Sequence, residues 1–280
     1  SPDVPIHLPF FLMNPSLRTS TWIEAPVDTT PEKAGFDASR LERLQGIFER
    51  LHSEGKIQCA AYCLARDGKV FADRAFGPRH HDGEAPMLPS TWRQIASVTK
   101  VLTAIGVLKL VEDGRIFMEW PVSKVLSEFD TPSLGKVTFQ QLLTHTSGIV
   151  ADPGSDGEAN PDGSFWQSMS DPDWLAKAIG QPMRTAPGEA WRYSSVGFCA
   201  LGAAIARVTG ERFVDWMARE VVAPAGLRDT FWDIGARDLS RFSYTTDENL
   251  EMLRDRPNRL ELPGMAMGWC ISTCRDMVRL

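Results

Sequence analysis

Ile95-Ala96-Ser97-Val98-Thr99-Lys100 places a hydroxyl and an amine three residues apart at the head of an apolar pattern with helical period. Val98, Val101, Leu102, Ile105, Leu108 and Val111 carry that stripe to the stop signal Asp113-Gly114. A serine in the first turn of such a helix sits among backbone N–H groups without helical partners, at the positive end of the macrodipole, which favours an alkoxide or an oxyanion. Lys100, one turn on, shares its face. The spacing alone is weak, since about one Ser-x-x-Lys match is expected by chance in a chain of this length. Three occur here. Ser53-Glu54-Gly55-Lys56 ends a helical pattern at a glycine and Ser133-Leu134-Gly135-Lys136 follows Pro132, so both read as exposed turns. Locally, Ser97 still has two readings: an activated serine, and a helix-start serine followed by a surface lysine.

The 280 residues can bury a sizeable core as one large domain or two smaller ones. A formal charge of -6 gives no basic footprint for nucleic acid or an anionic membrane. The apolar run Ile6 to Met13 contains His7 and Pro9 and is too short to span a bilayer. Five cysteines, an odd and sparse set, imply free thiols and favour a cytoplasmic setting, while a start at Ser1 leaves room for a removed signal peptide. Cys59 with Cys63, and Cys270 with Cys274, have a spacing that invites a zinc site. Positions four apart on a strand lie about 13 Å from one another, too far for one tetrahedral ion, so these read as core cysteines. No metal and no cofactor are expected, and oligomeric state is left open.

Residues 1–36 read as an extended arm. Asp37 caps a helix with Leu41, Leu44, Ile47, Phe48 and Leu51 on one face. Cys59 to Ala65 and Val70 to Phe76 form a hairpin about Asp67-Gly68. His80-His81-Asp82 reads as a solvated loop. Val137 to Leu143 begins a helix or strand leading to Leu142-Leu143-Thr144-His145-Thr146-Ser147-Gly148. With no G-x-S-x-G elbow in the chain, His145 reads as a hydrogen-bonded structural residue rather than a triad member. Residues 151–164, rich in Gly, Asp and Pro, read as a mobile loop bordering a cleft. Trp166 to Ile179 reads as helical. Ala186 to Ser195 turns into a helix packing through Phe198, Leu201, Ala204, Ile205 and Val208, and Phe213 to Val222 is a further helix.

Four separated stretches, in order, resemble one family: Ile95 to Lys100, Leu142 to Gly148, Pro187-Gly188-Glu189-Ala190-Trp191-Arg192-Tyr193-Ser194, and Ser272-Thr273-Cys274-Arg275-Asp276. They resemble the Ser-x-x-Lys, L-L-x-H-T-S-G, P-G-x-x-x-x-Y-S and S-T-x-x-D segments of the serine β-lactamase-related group, which includes class C β-lactamases, DD-peptidases, family VIII carboxylesterases and transacylases. The resemblance covers roughly residues 38–280. It implies an α/β (α+β) β-lactamase/transpeptidase-like fold, an antiparallel sheet flanked by helices plus a helical region. The expected division is an α/β domain over 37–90 and 205–280, and a mainly helical region over 91–204 carrying the site.

By the same resemblance Ser97 is the acylated nucleophile, Lys100 helps to deprotonate it and Tyr193 is the general base or proton relay; Ser195 and Trp191 are candidate substrate contacts. Trp191, like Trp166, is compatible with an apolar acyl group but is more simply a core residue. The family's lactam-directed members carry Asn where this chain has Ser195, which favours ester cleavage or acyl transfer. The family's Lys-Thr-Gly or His-x-Gly strand lies beyond the S-T-x-x-D segment, so the C-terminal part is expected to be missing from these 280 residues. The leading expectation is a serine hydrolase, most like a carboxylesterase, acting on a small-molecule ester or amide through an acyl-serine. A β-lactamase or acyltransferase of the same fold is the alternative. A non-catalytic or incomplete relative acting as a binding module is the alternative of another class.

Overall fold

The computed structural model describes residues 21–83, 85–150, 152 and 169–280. They divide into two compact units, one of residues up to 93, 236–255 and 272–280, the other of 94–235 and 256–271. The chain thus crosses between units more often than the sequence suggested. Residues 205–235 and 256–271, expected with the sheet, cluster with the helices instead.

The first unit is built on a hairpin. Strands β1 (Ile23–Glu24), β2 (Ala60–Arg66) and β3 (Lys69–Phe76) form an antiparallel sheet in the order β1-β3-β2. Asp67 and Gly68 both take positive φ, 51° and 72°, the two-residue turn whose twist matches the flanking strands. Helix α1 (Ala38–Ser53) begins where the Asp37 carboxylate accepts the Ser39 N–H at 2.8 Å. Leu41, Tyr62, Phe71 and Ala72 are buried together, with Trp22, Leu44 and Phe48 packed against them. Part of the expected arm is therefore an edge strand, with Ile23 opposite Ala75; residues 1–20 lie outside the described residues. Trp92 is held to the 236–255 segment by Trp92 N–H to the Arg241 carbonyl at 3.0 Å and Ser243 N–H to the Trp92 carbonyl at 2.8 Å. In the last segment Thr273 caps a short helix, and Arg275 pairs with buried Asp73 at 2.9 Å.

The second unit is helical. A 3₁₀ turn (Ala96–Val98) runs into α2 (Thr99–Glu112), followed by α3 (Phe139–Leu143), α4 (Trp174–Ile179), α5 (Ser195–Thr209) and α6 (Phe213–Met217), which continues as a π-turn over Ala218–Val222. Thr138 and Gln141 cap α3 reciprocally, which makes the expected helix or strand a helix from Phe139. The helix expected from Trp166 begins at Trp174, and residues 166–168 lie outside the described ones. The core gathers Leu102, Val107 and Leu110 of α2 with Val196, Leu201 and Ile205 of α5, and with Phe129, Phe139, Trp174 and Trp232.

The α2 stripe meets the sequence expectation at Leu102, Ile105 and Val111, which lie in or against the core, and departs from it at the other three positions. Val98, Val101 and Leu108 are 47, 51 and 50% exposed, whereas Thr99, Lys100 and Thr103 are buried. Each buried polar side chain has a backbone partner in the 266–270 segment. The Thr103 hydroxyl donates to the Ala266 carbonyl at 2.7 Å, Lys100 Nζ to the Met267 carbonyl at 2.9 Å, and Thr99 Oγ1 accepts the Cys270 N–H at 3.1 Å. Satisfied polar groups can be buried at little cost. The helix therefore turns its Thr99–Lys100–Thr103 face inward and leaves three aliphatic side chains half out.

Candidate active site

Ser97 is placed by the turn that starts α2. Ala96 has φ +45°, a left-handed conformation that costs a non-glycine residue about 1 kcal/mol or more and persists only where the surroundings impose it. Residue 270 imposes it from both sides: the Ile95 N–H donates to the Cys270 carbonyl at 2.9 Å, and the Cys270 N–H returns to Thr99 Oγ1. Lys100, 6% exposed, donates from Nζ to Ser97 Oγ at 3.1 Å and to the Met267 carbonyl at 2.9 Å. The ammonium also lies 4.8 Å from the Tyr193 ring centroid and 5.7 Å from that of Phe198. The structure thus brings Ser97, Lys100 and Tyr193 together from positions almost a hundred residues apart.

Tyr193 is positioned through its neighbours. Ser194 is the N-cap of α5, accepting the Gly197 N–H at 3.2 Å while its hydroxyl donates to the Val150 carbonyl at 2.6 Å. The Ser194 N–H in turn donates to Nδ1 of His145 at 3.1 Å. His145 has φ +57°, its carbonyl accepts the Arg192 N–H at 2.8 Å, and its ring lies 4.5 Å from Tyr193 and 5.2 Å from Phe198. Burial lowers the His145 pKa below its ordinary value, and the Lys100 charge lowers it further against an opposing effect of Asp152. A neutral imidazole accepting at Nδ1 agrees with that direction. His145 is a hydrogen-bonded structural residue, as its setting in the sequence suggested.

Two further residues were not singled out from the sequence. Asp152 receives the Ser195 N–H on Oδ1 and the Ser195 hydroxyl on Oδ2, each at 2.6 Å, and its own N–H donates to the Tyr193 carbonyl at 2.9 Å. Arg256 is 1% exposed and donates to the Trp269 carbonyl at 2.8 Å and to Gln94 Oε1 at 3.2 Å. Burial brings its guanidinium down to about 10, so it stays charged at neutral pH. Ser97, Lys100, Asp152, Ser195, Gln94 and Trp269 share the lining of a cavity of about 330 Å³ with Ala96, Met267 and Gly268. A larger hollow of about 510 Å³, lined by Leu175, Ala206, Arg212 and Leu262, lies away from these side chains.

Local sequence held no signal for Asp152, which sits in a Gly- and Pro-rich stretch whose other residues from 151 to 164 lie outside the described ones. For the 266–270 segment the signal was indirect: polar residues at 99, 100 and 103 on one face of an apolar helix require buried partners. Trp191 corrects its core reading. It is 61% exposed, 5.9 Å from the His145 ring and 6.3 Å from the Tyr193 ring, and is not among the cavity-lining residues. Cys59, Cys63, Cys199 and Cys270 are buried, and no three His, Cys, Asp or Glu side chains among the described residues converge on a metal-sized site. No helix among the described residues is long and apolar enough to cross a membrane.

The Beta-lactamase family model matches residues 44–280. The chain belongs to the beta-lactamase family. This beta-lactamase family chain is 33% identical over 211 residues to Esterase EstB of Burkholderia gladioli, covering 71% of its own length and 53% of EstB. It is 29% identical over 193 residues to Protein flp of Staphylococcus aureus (strain COL), covering 68% of its own length and 38% of that protein. The chain spans about half the length of EstB and less of Protein flp. A class C beta lactamase of Rhodobacter sphaeroides superposes with a TM-score of 0.66 at 20% identity, over 84% of this chain and 62% of that one. That likeness shows the β-lactamase/penicillin-binding-protein fold, and the mixed α/β architecture with its antiparallel sheet agrees with it.

Proposed function

We propose that this chain is a serine hydrolase that cleaves a small-molecule ester through an acyl-Ser97 intermediate, with water or another small nucleophile as acceptor. The observation that carries the reading is the Lys100 Nζ to Ser97 Oγ contact of 3.1 Å inside a buried site that Tyr193 adjoins. A hydroxyl is a weak nucleophile at neutral pH until a neighbouring base takes its proton. Lys100 in its neutral form, or the Tyr193 phenolate, accepts the Ser97 proton as Oγ bonds to the carbonyl carbon. The tetrahedral oxyanion forms beside the Ser97 N–H, at the start of the turn leading into α2, where backbone donors and the helix dipole favour negative charge. Collapse expels the alkoxide, which takes the proton back as the alcohol leaves. Water then repeats the sequence on the acyl-enzyme.

Two observations support ester over lactam cleavage. The chain's similarity to Esterase EstB is one. The other is Ser195, whose N–H and hydroxyl both donate to Asp152, so neither is available to hold a substrate amide carbonyl. The class C structural neighbour favours β-lactamase activity as the second reading. Mass spectrometry after treatment with a fluorophosphonate should find the adduct on Ser97. Labelling that persists in Ser97→Ala would sink the assignment, and nitrocefin turnover exceeding that of p-nitrophenyl esters would favour the second reading.

A further inference from the structure

Ser195 and Asp152 together make a wall of unusual polarity. Ser195 is 4% exposed and both of its donors are spent on the Asp152 carboxylate, at 2.6 Å each. What this pair presents to the cavity is therefore oxygen lone pairs and negative charge, with no hydrogen to offer. Among the described residues, the charged side chains lining the cavity are Lys100 and Asp152. Lys100 is committed to Ser97 Oγ and the Met267 carbonyl. Arg256 backs the Gln94 and Trp269 side through hydrogen bonds to both. Positive charge thus stands behind one part of the wall, and the Asp152–Ser195 part is negative. A substrate group settling against Asp152 and Ser195 must bring its own N–H donors, and a cationic one is favoured over a neutral one.

The geometry points to Asp152 as a specificity-determining residue that selects acyl groups carrying a protonated amine close to the scissile carbonyl. This rests on the acyl-Ser97 reading, and it assigns the ammonium to the acyl half of the cavity that Asp152, Ser195 and Ser97 line together. The residue is held at three points, two on its carboxylate and one through its backbone N–H to the Tyr193 carbonyl at 2.9 Å, so little ordering entropy is lost at the time of binding.

Two esters of matched size test the idea: p-nitrophenyl 3-aminopropanoate, whose acyl group ends in an ammonium, and p-nitrophenyl butanoate, whose acyl group ends in a methyl. The unaltered enzyme should favour the amino ester by about tenfold or more in kcat/KM, the scale of one charge-assisted hydrogen bond. Asp152→Asn, which keeps the side-chain shape, should shrink that ratio at least fivefold, chiefly through KM for the amino ester. Equal kcat/KM for the two esters, a preference for butanoate, or an unchanged ratio in Asp152→Asn would each overturn the proposal. Should Asp152→Asn fail to fold, inhibition of the unaltered enzyme decides: 3-aminopropylboronate should bind at least tenfold more tightly than butylboronate, and a tie or reversal refutes the selectivity. Turnover of both esters without preference defeats only this inference. Absence of any Ser97-dependent turnover defeats the hydrolase reading on which it stands.

Discussion

Replacing His145 by leucine isolates the device that holds Tyr193. In the native fold Nδ1 accepts the N–H of Ser194, a residue 2% exposed, and the imidazole lies 4.5 Å from the Tyr193 ring. Leucine removes the acceptor and leaves a buried N–H unsatisfied, which costs about 1–3 kcal/mol. It also forfeits an aromatic contact, about 0.5–1.5 kcal/mol. The backbone at φ +57° adds roughly 1 kcal/mol, because histidine tolerates the left-handed region better than leucine does. These terms add to about 2.5–5.5 kcal/mol, and the apolar packing that leucine brings offsets part of it, leaving about 3 kcal/mol. For a chain of this size that corresponds to a fall of roughly 6–10 °C in Tm, measured by calorimetry or by circular dichroism. His145→Asn keeps a polar acceptor and a residue suited to positive φ, so it should lose about half as much. Under the proposed mechanism both variants lower kcat more than they raise KM, since Tyr193 moves while the cavity wall remains. A His145→Leu protein melting within about 1 °C of the parent would refute the hydrogen bond and the positioning role drawn from it.

Two other predictions follow from single groups. Gly148 has φ +76°, and a Cβ there would stand 2.2 Å from the Thr185 carbonyl oxygen, so Gly148→Ala should lose about 3 kcal/mol or more in urea denaturation; a loss under 1 kcal/mol would contradict the packing of that turn. His145 also predicts a pH dependence. Its folded pKa is lowered by burial and by Lys100, so between that value and the unfolded value of about 6.5 the unfolded chain binds the extra proton. The stability associated with a neutral His145 is therefore complete above about pH 7 and is lost as pH falls below about 6.5. Tm should drop more steeply from pH 7 to 5 in the parent than in His145→Asn, and parallel slopes would contradict it.

Local rules read from the sequence account for much of this protein. Asp37 caps α1 because its carboxylate reaches a backbone N–H two residues on, and Asp67-Gly68 closes the hairpin because both positions accept positive φ. The serine that opens α5 is placed by a rule acting within one turn of helix, whereas the Ser97 turn is held by residue 270. The fold family was legible because four such local signatures stood in the family's order. Tertiary structure alone decided which face of α2 is buried. Periodicity scores each side chain as though it met a uniform apolar interior, and it chose Val98, Val101 and Leu108 along with Leu102, Ile105 and Val111, of which only the last three pack inward. The fold instead supplies carbonyls of Ala266 and Met267, more than 160 residues away in the chain, to Thr103 and Lys100. Once those polar groups are paired, burying them costs less than the spacing rule assumes. The same limit hid Asp152, whose meaning comes from two hydrogen bonds to Ser195 across 43 positions. Nothing in the sequence around either residue records that meeting, because it is a property of the packed chain.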